Sequence, residues 1–196
     1  NFFAEILLKG LGKDFSDGGS TQAGLEVARA TLDAIGLDRA SYRLLDGSGL
    51  SYEDRLSARD LVRVLGGARQ RPDYDDYYDA LAIAGEDGTL EDRMRGTAAA
   101  GNAHAKTGTL NVAVCLSGYV TSANDRLVGY ALLVNGSSVD WDHATAAQDD
   151  IVEMLAAASL PGTRQIRVTP VLRQHPLSAF EAVHPVGSYL QAVVQP

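Results

Sequence analysis

Cysteine is almost absent from this chain of 196 residues, with Cys115 standing alone. An internal disulfide is therefore excluded, and a lone cysteine in an apolar run reads as a small core residue that says nothing of the compartment. Histidine is scarce as well. His104, His143, His175 and His184 show no metal-ligand spacing, so no metal and no cofactor is expected. Positive charge is in deficit: 17 Lys and Arg against 25 Asp and Glu leave a net charge of -8. That balance argues against nucleic acid and against an anionic membrane surface, both of which favour basic patches. No apolar run is long enough for a transmembrane span, and no signal-peptide pattern is present. Gly96 to Gly101 has the glycine spacing of a phosphate loop, but Asn102 stands where the lysine must be, which excludes nucleotide binding on that motif. Proline is rare until late. Five of six fall at positions 161, 170, 176, 185 and 196, marking residues 159–196 as a Pro-rich, partly extended addition to a domain that ends near 158.

Apolar residues are plentiful. A hydrophobic content of 45% is enough for a sizeable core. The most informative stretch is Lys106-Thr107-Gly108-Thr109, set directly before an apolar run. It offers a cation, two hydroxyls and a gap in the side chains on one strand, a combination suited to an acyl substrate that ends in a carboxylate. Residues 112–120 and 127–134 are rich in β formers, and Thr121 to Asp125 between them has turn chemistry, so the pair reads as a hairpin. The lysine is then expected on the first of three consecutive antiparallel strands. Gly108 clears the place where a ligand backbone would approach.

Helical patterns precede and follow these strands. Residues 3–11 read as a short helix ending near Gly10 and Gly12. Ser20 caps a second helix that stops at Gly36. Ser57 with Asp60 forms a capping box for a third, running to Gly66. Asp73, Asp75 and Asp76 favour a helix start after Pro72, and a last helix is expected over residues 143–158. Helices, then strands, then a closing helix suit an α/β (α+β) fold, an antiparallel sheet flanked by helices.

Two further motifs complete the pattern. The chain opens on Asn1-Phe2-Phe3-Ala4-Glu5, and Asp46-Gly47-Ser48-Gly49-Leu50-Ser51 is a tight, glycine-punctuated loop. In order and spacing, the opening segment, this loop and Lys106 to Thr109 resemble the penicillin-binding D-alanyl-D-alanine carboxypeptidases of the class C, or type-4, group. The resemblance covers residues 1–158. In that family a serine-x-x-lysine nucleophile motif comes first, followed by serine-x-asparagine leading into an aromatic-Ala-Glu helix, then the DGSGLS loop and KTGT. Asn1 matches the asparagine of the second motif. Neither the serine two positions before it nor any serine three residues before Lys9, Lys13 or Lys106 is in the chain. The chain is thus read as the C-terminal part of such an enzyme, with the segment before Asn1 missing, cut off or carried on another chain. On that reading it is inert alone.

The resemblance implies the C-terminal portion of a serine β-lactamase/DD-peptidase-like fold and a set of roles. An upstream serine attacks the bond between two D-alanines of a peptidoglycan stem peptide, and the acyl-enzyme then hydrolyses; β-lactams acylate the same serine. Asn1 orients the substrate carbonyl and the upstream lysine. Lys106 attracts the substrate carboxylate, and Thr107 and Thr109 hydrogen-bond it. The N–H of Thr109 supplies half of the oxyanion hole. Leu110 and Leu90 either line a pocket for the apolar part of the stem or are ordinary core leucines. Arg93 and Arg95 either meet an acidic substrate or are solvated. Implied partners are the peptidoglycan peptide, β-lactams and the N-terminal part of the same protein. An extracytoplasmic place, in periplasm or cell envelope, follows from the resemblance alone. Two other readings stay open: a β-lactamase or esterase on the same fold, and a non-catalytic cell-wall binding homologue that has lost its nucleophile.

Overall fold

A computed structural model describes residues 1–16, 18–161 and 189–195, the last stretch by its backbone. Two compact units divide the chain, Asn1–Gly67 and Ala68–Pro196.

The first unit is built on two helices, α1 (Phe2–Phe15) and α2 (Thr21–Ala34). α1 runs past Gly10 and Gly12, where the sequence suggests an end, because Gly12 is needed for packing. A Cβ there would lie 2.6 Å from the Gly24 nitrogen of α2, and one on Gly24 would strike the Leu8 carbonyl. The missing side chains let the two backbones approach closely, with Leu8 and Leu25 buried beside the crossing. α2 begins and ends as its caps predict: Ser20 Oγ accepts the Ala23 N–H at 3.1 Å, and Gly36 turns the chain away at φ +81°. Helix α3 (Ala58–Ala68) opens on the predicted capping box. Ser57 Oγ accepts the Asp60 N–H at 3.1 Å, and Asp60 Oδ2 accepts the Ser57 N–H at 3.3 Å. Asp60 is only 2% exposed, and its placement is what this cap secures.

In the second unit, α4 (Tyr74–Asp79) precedes a five-stranded antiparallel meander. Its strands are β1 (Ala82–Ile83), β2 (His104–Leu110), β3 (Ala113–Thr121), β4 (Leu127–Asn135) and β5 (Tyr189–Gln195), each paired with the next. Lys106 sits on β2, the first of three long consecutive antiparallel strands, as expected, and the very short β1 adds a pairing with His104 and Ala105 just before it. The turn between β3 and β4 holds Asp125 at φ +56° and is closed by Ser122 N–H to the Arg126 carbonyl. Period-two alternation gives β2–β4 two faces. Ala105, Leu116, Val120, Val128, Tyr130 and Leu132 face one core, which α5 (Trp141–Ala157) closes with Val152, Leu155 and Ala156. On the other face the tyrosines of α4 surround Tyr119, and Tyr78 stacks on His104 with centroids 4.0 Å apart. Gln148 of α5 is fully buried and donates to the Val114 and Leu132 carbonyls, tying helix to sheet. Cys115 is half-buried rather than fully packed, and that burial raises its thiol pKa.

Candidate functional site

Among the described residues, the outer edge of β2 is open where the chemistry-bearing residues lie. β1 pairs only with His104 and Ala105, leaving Lys106 to Leu110 without a paired strand on that side among the described residues. Which backbone groups face the gap follows from the ladder. The Ala84 N–H donates to the Ala103 carbonyl at 2.9 Å, so the Ala103 carbonyl points to the β1 side. Along an antiparallel strand this direction alternates, so Thr107 and Thr109 present their N–H and C=O groups outward while Lys106 and Gly108 bond to β3. An open strand edge of this kind is a template for an extended peptide.

The side chains divide between the faces. Lys106, Gly108 and Leu110 share one face with His104, and Thr107 and Thr109 lie on the other. Lys106 is exposed, and its Nζ donates to the Thr107 carbonyl at 2.7 Å. Thr109 and Gly108 are exposed and Leu110 is half-buried. A Cβ on Gly108 would meet only Cys115 Cβ, at an ordinary 3.5 Å. Among the described residues, no neighbour demands glycine there. Thr107 Oγ1 lies 2.9 Å from Thr89 Oγ1 in the 3-10 turn Gly88–Leu90.

Of its two readings, Leu90 takes that of an ordinary core leucine and not of a pocket residue. It is 0% exposed among Ala84, Met94 and Ala99, so it packs the core and offers a ligand no surface. Arg93 is likewise committed elsewhere: its guanidinium pairs with Asp149 at 2.6 Å, with both groups largely buried. Arg95 is exposed and bonds Asp92 and the Glu91 carbonyl.

Asn1 belongs to the first unit, where it occupies the N-cap position of α1. Its carbonyl accepts the Glu5 N–H at 3.1 Å, but its side-chain amide makes no capping bond. One turn on, Glu5 Oε1 accepts the N–H groups of Gly47 and Ser48, both at 2.9 Å. The aromatic-Ala-Glu helix thus holds the DGSGLS loop by a carboxylate, a strong type of hydrogen bond. Asp46 shapes the loop from within, accepting from Gly49 N–H at 2.6 Å and Ser51 N–H at 2.8 Å, with Gly49 at φ +73°. Asp54 accepts the Leu45 N–H at 2.7 Å. Burial pushes its carboxyl above the usual range, with the Asp46 charge adding to the rise and the Leu45 bond opposing it. Sequence reasoning assigns no role to Glu5, Asp54 or Thr89. Glu5 and Thr89 meet partners 42 and 18 residues away, respectively, and no local pattern records such distances.

Residues 1–158 match the D-Ala-D-Ala carboxypeptidase 3 (S13) family. The chain belongs to that family. Among S13 relatives, the D-alanyl-D-alanine carboxypeptidase of Actinomadura sp. (strain R39) is 38% identical over 161 residues, covering 80% of this chain and 29% of the relative. Carboxypeptidase DacB of Mycolicibacterium smegmatis is 33% identical over 143 residues, covering 70% of this chain and 31% of that protein. The chain thus spans under a third of the length of either relative. Penicillin binding protein 4 (dacB) of Haemophilus influenzae, in complex with a β-lactam, superimposes with a TM-score of 0.67 at 24% identity. The superposition covers 78% of this chain and 39% of that one. This likeness shows the fold: a mixed α/β arrangement of DD-peptidase type, with an antiparallel sheet and flanking helices.

Proposed function

We propose that this chain is the C-terminal part of a serine-type D-Ala-D-Ala carboxypeptidase or endopeptidase that acts on peptidoglycan stem peptides. The observation that carries the proposal is the open edge of β2, where Lys106, Thr107 and Thr109 cluster in a chain matched to the S13 family. In this reading the nucleophilic serine and its lysine lie in the N-terminal part of the same protein.

The proposed steps use this chain's groups as follows. The serine oxygen attacks the carbonyl carbon between the two D-alanines, giving its proton to the adjacent base. The Thr109 N–H, aimed outward on the open edge, stabilises the developing oxyanion. The C–N bond breaks, the amine of the terminal D-alanine takes a proton, and water later cleaves the acyl-serine ester. Lys106 and the Thr107 hydroxyl hold the terminal carboxylate, and the side-chain amide of Asn1 orients the substrate. A β-lactam follows the same first step but keeps its leaving group tethered. Substrate and enzyme then meet outside the cytoplasm; among the described residues no helix is long and apolar enough to cross a membrane.

Intact-mass spectrometry of the full-length protein with and without benzylpenicillin tests this. The expected result is a gain of one penicillin per protein, lost when the upstream serine is replaced. Replacing Lys106 with Ala should slow acylation by about 10²-fold, the scale set by removing a preorganised electrostatic contact. No adduct on the wild type would reject the acyl-serine reading.

A further inference from the structure

Thr89 is exposed, yet the turn that carries it is held from three sides. Asp87 Oδ1 accepts the Ile83 N–H at 2.7 Å, and the Leu90 carbonyl accepts the Gly85 N–H at 2.9 Å. Gly88 sits at φ +55°, in the left-handed region, and a Cβ on it would press on Ala82 Cβ at 3.0 Å. Leu90, fully buried, rivets the next residue into the core. Beyond it Arg93 is tied to Asp149 of α5. The Thr89 hydroxyl therefore starts from a fixed backbone, and it lies 2.9 Å from the hydroxyl of Thr107.

We propose that Thr89 is a positioning residue that orients the Thr107 hydroxyl toward the substrate's terminal carboxylate. The inference rests on the carboxylate-binding role of Lys106 and Thr107 proposed above. A hydroxyl gives one proton and accepts two bonds, whereas a carboxylate only accepts. In the free protein Thr107 can donate to Thr89. Once a carboxylate takes the Thr107 proton, the pair must reverse, and Thr89 donates to Thr107. The result is a directed chain, Thr89 O–H to Thr107 O–H to carboxylate, in which each bond polarises the next. No covalent bond changes. Thr89 never touches the substrate, and its effect falls on binding more than on the chemical step.

The test compares wild type, Thr89→Val and Thr89→Ser in the full-length enzyme on two peptides. One ends in D-Ala-D-Ala with a free carboxylate, and the other ends in the corresponding ethylamide, which lacks it. On the acid peptide, Thr89→Val should raise KM about fivefold, the scale of one lost hydrogen bond, with kcat within about twofold. Thr89→Ser should restore KM, and the three proteins should be alike on the ethylamide. Equal KM for Thr89→Val and wild type on the acid, equal losses on both peptides, or no rescue by serine would overturn the inference alone. A wild type that neither cleaves nor binds the acid peptide would overturn the proposed function, and the role of Thr89 with it.

Discussion

At the scale of single residues, the informative positions are those whose identity the fold itself does not require. Gly108 is the plainest. Its neighbour would tolerate a methyl group at 3.5 Å, and its backbone is not in the left-handed region. Glycine inside a strand costs conformational entropy relative to alanine. Gly108→Ala should therefore leave the melting temperature unchanged or slightly higher, while benzylpenicillin acylation of the full-length enzyme slows at least about tenfold by obstruction. A drop in stability with acylation intact would mean the glycine serves the sheet. Leu90 teaches the opposite lesson. Beside Thr89 in a glycine-bounded turn it looks like a pocket residue, but burial decides its use. Lys106 to Thr109 was legible because strand, charge and hydroxyls are local properties. Thr89 was not, since its partner is brought to it only by the meander.

At the scale of elements, the helix starts were legible wherever a side chain caps the backbone, as at Ser20 and Ser57. The end of α1 was not, because Gly12, a residue that usually breaks a helix, is spent on tertiary contact with α2 instead. The contrast can be measured. Gly24→Ala should destabilise by about 1–3 kcal/mol, since its Cβ would collide with the Leu8 carbonyl and force α1 and α2 apart. Gly10→Ala, with open space around its Cβ, should stabilise by about 0.5–1 kcal/mol through helix propensity. Chemical denaturation of the two variants checks both signs. The DGSGLS loop adds a pH dependence. The Asp54 carboxyl is raised in the folded state by burial, so its contribution to stability is fullest below the unfolded aspartate value near about 3.9 and is lost as pH rises through the folded value. Asp54→Asn keeps an acceptor for the Leu45 N–H and removes the charge. It should melt higher than wild type at pH 7, with the gap closing as pH falls toward about 4. A gap independent of pH would point to packing.

At the scale of the whole molecule, the three motifs of the family pattern are divided between the two units: Asn1 and the loop braced by Glu5 in one, the Lys106 strand in the other. Only the order of the motifs joined them on paper, which is why a family pattern said more about function than any periodicity did. The same scale exposes a feature that net charge conceals. Phe3, Leu7, Leu11 and Phe15 follow one another at i+4 along α1, and Phe3, Leu7 and Phe15 are 78%, 69% and 73% exposed. Spacing of four residues places them on one helical stripe, and Phe2 and Ile6 widen it. A net charge of -8 favours solubility, but it acts over the whole surface and cannot remove a contiguous apolar stripe's tendency to be covered. The 196-residue chain taken alone should therefore self-associate. Light scattering should show species larger than 20.8 kDa, with the average mass rising with concentration. Replacing Phe3 and Leu7 together by Glu should return it to the monomer without lowering the melting temperature, because neither side chain is buried in the fold. Monomeric behaviour of the unmodified chain at high concentration would show that charge outweighs the stripe. Loss of folding in the double variant would show that the stripe is part of the core of the first unit rather than its surface.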